Sequence, residues 1–153
     1  MDMSGEYHIA APREEVWAAL NDPKVLKECI PGCEELEKTS DTTMEAKVTQ
    51  KIGPVKAKFA GGVELVNINA PESYTIRGEG KGGVAGFAKG SADVHLAEED
   101  GGTRLSYEAH AEVGGKLAQL GSRLINSTAK KLADKFFENF HDHLSEDAPT
   151  DRA

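Results

Sequence analysis

The spacing of apolar residues changes twice along this chain. Near the start, "EYHIAAP" (Glu6 to Pro12) places Tyr7 and Ile9 on one face and reads as a short strand. "APREEVWAALNDP" then carries the marks of a helix. Pro12 lies near the first turn, Glu14 and Glu15 come early, and Val16, Trp17 and Leu20 share a face. Asn21-Asp22-Pro23 stops it. "PKVLKECI" follows as a second short helix ending at Pro31-Gly32.

The period then becomes two. "TMEAKVTQKI" sets Met44, Ala46 and Val48 against Glu45, Lys47 and Thr49. In "GPVKAKFAGGVELVNI" the residues Val55, Ala57, Phe59, Val63 and Leu65 point one way and Lys56 and Lys58 the other. "SYTIRGEG" carries Tyr74 and Ile76. "GFAKGSADVHLAEEDGGTRLSYEAHAEV" reads as a hairpin whose "EEDGGT" turn separates Val94 and Leu96 from Leu105, Tyr107, Ala109, Ala111 and Val113. A single curved antiparallel sheet is expected.

The last pattern has helical spacing. From about Gly115 to Leu144, residues Leu117, Leu120, Leu124, Ile125, Thr128, Leu132, Phe136 and Phe140 recur at three- and four-residue intervals. This predicts one helix roughly 45 Å long. So long a stripe needs a large apolar surface to lie across, and the curved sheet is the surface available. The facing strands hold many small residues: Gly61, Gly62, Gly78, Gly80, Gly82, Gly83, Gly86, Gly90 and Ala92. They favour a cavity between sheet and helix. The expected organisation is one α+β domain over residues 1–144, with a polar, acidic and disordered tail over 145–153.

Composition narrows the function. The net charge is −8, which argues against nucleic acid as a partner. Lys51, Lys56 and Lys58, and Lys130, Lys131 and Lys135, form two local basic groups that read as solvated faces. No run reaches the roughly 18 apolar residues of a membrane span. The start "MDMSGEYHIAAP" lacks the features of a signal peptide, so a cytoplasmic protein is expected. Cys29 and Cys33 flank "IPG", a spacing unlike C-x-x-C, and read as reduced structural thiols, with a reversible redox role as the alternative.

No nucleophile elbow, phosphate-binding loop or metal motif is present. His141 and His143 are two apart on the expected helix and face away from one another. His8, His95 and His110, and the acids Glu64, Asp93, Glu108 and Glu112, fall mostly on outward strand positions. Catalysis and a metal are therefore not expected. Binding of a lipophilic molecule is, because burying apolar surface yields about 25 cal/mol per Å² with few polar contacts. The candidate lining residues are Phe59, Val63, Tyr74, Phe87, Tyr107, Leu117, Leu120, Gly121, Leu124 and Ile125. Phe87 has parity opposite to Ala88, Ala92 and Val94. Filling the core is the competing role for each of them, and for Gly121 close helix-to-sheet packing competes with a portal.

Several segments carry a resemblance. The order of elements, with "APREEVWAALNDPKVLKECIPGCEEL" near the start, resembles the helix-grip fold of the START/Bet v 1-like (SRPBCC) superfamily. "IPGCEEL", "IGPVKAKFAGGVEL", "GEGKGGVAGFAKGSADVHL" and "GGKLAQLGSRLI…AKKLADKFFENF" resemble, more narrowly, the CoxG family of carbon monoxide dehydrogenase accessory proteins, from about Met3 to Phe140. The resemblance implies a curved sheet of six to seven strands around a long C-terminal helix. It also implies a non-catalytic cytoplasmic accessory to a molybdenum-containing carbon monoxide dehydrogenase or related hydroxylase. Handling of a quinone or lipid and recruitment of the enzyme to the membrane are further implications. The short acidic tail departs from family members with a longer, membrane-attaching C-terminus. An interaction or maturation module with an incidental cavity, and a small-molecule enzyme of the same superfamily, are the alternatives.

Overall fold

The computed structural model describes residues 1–147, with side chains through 144. The chain forms β1 (Asp2–Ile9), α1 (Arg13–Leu20), α2 (Pro23–Cys29), β2 (Cys33–Lys38), β3 (Thr43–Ile52), β4 (Val55–Asn69) and β5 (Ser73–Lys81). A 3-10 turn (Gly83–Ala85) then leads to β6 (Phe87–Glu99), β7 (Gly102–Gly114), α3 (Lys116–Gln119) and α4 (Ser122–Asp147). All seven strands join one antiparallel sheet in the order β1-β7-β6-β5-β4-β3-β2. The helix-grip architecture expected from the sequence is the one observed.

Local chemistry sets the helices where the pattern placed them. Pro12 precedes α1, and Glu14 and Glu15 sit in its first turn, where the helix dipole favours negative charge. Asp22 caps α2 by accepting the Lys24 backbone N–H at 2.9 Å, and Pro23 opens the helix with its φ already set. In the β6–β7 turn Asp100 (φ 48°) and Gly101 (φ 78°) adopt the left-handed pair that matches hairpin twist.

One end of the sheet's inner face is filled. Ile9, Val16, Leu20, Val25, Leu65, Tyr74, Val94, Leu96, Leu105, Tyr107, Phe140 and Leu144 form the core, where α1, α2 and the C-terminal part of α4 cover the strands. Phe140 is wholly buried, worth about 2–3 kcal/mol. Asn139 donates to the Cys29 carbonyl at 3.1 Å and fastens α4 to α2. Thr103, also fully buried, donates to the Ala11 carbonyl at 2.8 Å.

The C-terminal helix differs from the expected single rod. It divides at Gly121, which has φ +91°, a conformation a continuous right-handed helix does not contain. The short α3 precedes the break, and α4 continues to Asp147, so the first three residues of the expected tail are helical. The rest of that tail, 148–153, lies outside the described residues.

Candidate functional site

Strand alternation divides the inner face into a packed end and an open one. Beyond Tyr74, Val94 and Tyr107, the inward positions carry small or slender groups. Along β5 these are Ile76, Gly78 and Gly80; along β6, Ala92, Gly90 and Ala88; along β7, Ala109 and Ala111. Facing them on β3 and β4 are Ala46, Val48, Phe59, Gly61 and Val63. These side chains are half-buried rather than buried. They line an open hollow of about 450 Å³, its chamber walls all supplied by strands and almost entirely apolar. The middle of the α4 stripe, Thr128, Leu132 and Phe136, is likewise half-buried, whereas Ile125 and Phe140 at either side of it are buried. The middle of the stripe is thus less covered than Ile125 and Phe140 on either side of it.

Close backbone approach bends the floor. A Cβ on Gly61 would stand 1.8 Å from the Glu79 carbonyl oxygen of the neighbouring strand, so only glycine fits there. Its partner across the ladder, Gly80, has room for a methyl group, with Phe59 Cβ at 3.5 Å. The absence of side chains at both positions deepens the chamber.

Of the ten sequence-derived candidates, Phe59 and Val63 line this chamber. Tyr74 and Tyr107 lie in the buried core, and the next inward residues on their strands, Ile76 and Ala109, form the wall instead. Tyr74 meets Trp17 edge to face at 5.2 Å, and burial raises its phenol pKa. Phe87 belongs to the outer face, 37% exposed and set against Gly114 of β7. Leu117 and Ile125 are buried, Leu120 and Leu124 half-buried, and Gly121 exposed with no atom within 4 Å of where a Cβ would be. These five lie outside the chamber lining. The wall residues missed as candidates share one signal, small size at inward parity, which the large apolar residues overshadowed.

Charged groups keep to the outside. Glu79, Lys89 and His110 occupy outward strand positions at the chamber's margin and are exposed. Two larger depressions of about 700 and 750 Å³ lie on the outer face and are lined by residues such as Glu35, Lys47, Lys81, Glu64 and Arg77. Their mixed charges and outward strand positions describe solvated surface, unlike the apolar lining of the inner-face hollow. His110 contacts Asp2 at 2.6 Å and His143 contacts Glu28 at 3.1 Å. Among the described residues no cluster of three His, Cys, Asp or Glu is placed to hold a metal. Cys29 and Cys33 are both free thiols. Burial, helped by Glu28, pushes Cys29 up to about 11, and burial also raises Cys33. Neither is primed as a thiolate nucleophile.

Comparison with known proteins agrees with this architecture. The family model for the carbon monoxide dehydrogenase protein CoxG matches residues 5–145. Among curated proteins none matches. A conserved protein from Geobacillus kaustophilus is similar over 95% of this chain and 96% of its own, at 33% identity and TM-score 0.89. A protein from Thermus thermophilus covers 97% of this chain and 99% of its own, at 16% identity and TM-score 0.72. Ara h 8.0201 covers 95% and 98%, at 15% identity and TM-score 0.65. The last two show a shared Bet v 1-like fold.

Proposed function

The chain belongs to the CoxG family of carbon monoxide dehydrogenase proteins, and on that premise we propose that it is a non-catalytic carrier of a lipophilic molecule. It serves a molybdenum-containing carbon monoxide dehydrogenase or a related hydroxylase. The strand-lined apolar hollow on the open end of the sheet's inner face carries this reading. Its volume of about 450 Å³ falls in the range of small-molecule sites. Its walls supply Phe59, Val63, Ile76 and a row of alanines and glycines, and its charged neighbours face outward. Such a lining rewards apolar area and asks for few polar contacts.

A quinone suits both the lining and the partner. Its prenyl chain is apolar and its ring carries only two carbonyl acceptors, and a dehydrogenase needs an acceptor for its electrons. The protein would hold the quinone near the enzyme and help bring the enzyme to the membrane. Native mass spectrometry of the purified protein, followed by organic extraction, tests this reading. A quinone or other lipid released in near-stoichiometric amount supports it. A protein that is empty and takes up no added short-chain ubiquinone refutes it and leaves an interaction module.

A further inference from the structure

The sheet has two edges, and they differ. β2 is six residues long and its register breaks between Cys33 and Glu35, an irregularity that spoils an edge for further pairing. β1 pairs with β7 without a break from Asp2 to Ile9. At its start the Met1 amine donates to the Ala111 carbonyl at 3.0 Å, and the Ala111 N–H donates back to Met1 at 2.8 Å. Antiparallel alternation carries that phase along the ladder. Met3, Gly5, Tyr7 and Ile9 therefore turn their N–H and C=O groups toward β7, and Asp2, Ser4, Glu6 and His8 turn theirs away. Among the described residues no hydrogen bond from another element reaches the outward backbone groups of Ser4, Glu6 or His8.

Beside this free edge lies a groove of about 320 Å³ between β1 and α4. Its floor is apolar, because Ile9 is buried and the Tyr7 ring stacks on Phe137. Its rim on α4 is acidic. Asp134, Glu138 and Asp142 are all exposed, and their four-residue spacing sets them about 6 Å apart along the helix. Side chains on one face of a strand repeat at about 6.6 Å, nearly the same step. The strand side has the same sign of charge, since residues 1–12 contain Asp2 and Glu6 and no Lys or Arg. Lys130 and Lys135 reach Asp134 and Glu138 at 3.5 and 3.4 Å. Exposed pairs within one helix hold weakly and yield to a better-placed cation. Asp142 and Glu6 take part in no ion pair among the described residues.

We propose that the β1 edge accepts an extended segment of a partner protein as an eighth strand, with Lys or Arg at alternate positions meeting the acids of α4. Backbone bonds to Ser4, Glu6 and His8 supply the affinity, and the acid row selects a cationic segment. The same charges disfavour other occupants. A second copy of this chain would set Asp2 and Glu6 against acids of its own kind, and an anionic lipid surface would be repelled. No residue lining this groove also lines the inner-face hollow, so the inference goes beyond the carrier reading and does not depend on it.

A fluorescein-labelled octapeptide of alternating Lys and Val tests the proposal on the full chain, by anisotropy and by amide exchange in NMR spectra. Binding is expected to slow exchange at the Ser4, Glu6 and His8 amides at least about tenfold. The Gly5 and Tyr7 amides, already bonded to β7, should change little. Glu138→Gln with Asp142→Asn is expected to weaken binding about tenfold, and roughly 0.5 M salt to weaken it by a similar factor. Ser4→Pro removes one outward N–H and spares the ladder to β7, and should also weaken binding about tenfold. Should that proline unfold the chain, the acid variant and the exchange pattern decide alone. Absence of peptide binding overturns the proposal. So does binding that leaves the three amides unprotected, or that the acid substitutions leave unchanged. Sedimentation showing a dimer with the same amides protected in the absence of peptide overturns it in favour of pairing between copies.

Discussion

The hydroxyl of Tyr7 donates to Asp134 Oδ1 at 2.6 Å, joining β1 to α4 across 127 positions of sequence. The Tyr7 ring also stacks on Phe137 of α4, with centroids 4.3 Å apart. Tyr7→Phe removes the hydrogen bond and keeps the ring. We expect it to lower the melting temperature by a few degrees without changing the fold. The same bond holds the Asp134 carboxyl below its ordinary pKa, Lys130 assisting. A depressed carboxyl stabilises the fold above the unfolded pKa and loses that effect as acid titrates it. The gap between wild type and variant should therefore narrow below about pH 4, which thermal melts across that range would show.

Gly61 and Gly80 face one another across β4 and β5 but differ in what they tolerate. Gly61→Ala drives a methyl group into the Glu79 carbonyl and should cost about 2 kcal/mol or more in urea unfolding. Gly80→Ala meets only ordinary contact with Phe59 and should stay within about 1 kcal/mol of wild type. Equal losses at both sites would mean that the sheet is not bent as described.

Cys29 and Cys33 should differ in reach rather than in activation. Cys29 is 1% exposed, whereas Cys33 is half-buried, its Sγ 3.4 Å from the Glu35 carbonyl. At pH 8 a disulfide-exchange reagent should label Cys33 slowly and Cys29 only on unfolding. The raised Cys29 pKa favours the protonated thiol in the fold. That contribution is complete below pH 9.0 and is lost as pH rises through about 11. Rapid labelling of Cys29 in the native protein at pH 8 would contradict this burial.

Alternation and turn chemistry made most of the fold legible. "EEDGGT" marked the β6–β7 hairpin because Asp and Gly tolerate the positive φ that the turn needs. The inward row of glycine and alanine at Gly61, Gly78, Gly80, Gly90 and Ala92 pointed to a cavity. Which part of that face stays open was not legible. Tyr74 and Ile76 have the same parity, and only the docking of α1, α2 and α4 buries one and leaves the other on the chamber wall. The break at Gly121 was hidden for a related reason. The apolar stripe runs through it at helical spacing, and periodicity reports which face is apolar but not a single φ.

The chamber's occupancy is tested most directly by equilibrium dialysis of the protein against ubiquinone-2, with Ala92→Phe/Ala111→Phe as the filled-chamber variant. Both alanines are half-buried wall residues, so the added rings have the chamber itself to enter. The expected result is saturable uptake of about one quinone per chain, reduced at least tenfold in a variant that melts cooperatively. Uptake that does not saturate, or that the two added rings leave unchanged, would contradict a ligand site on the open end of the sheet's inner face.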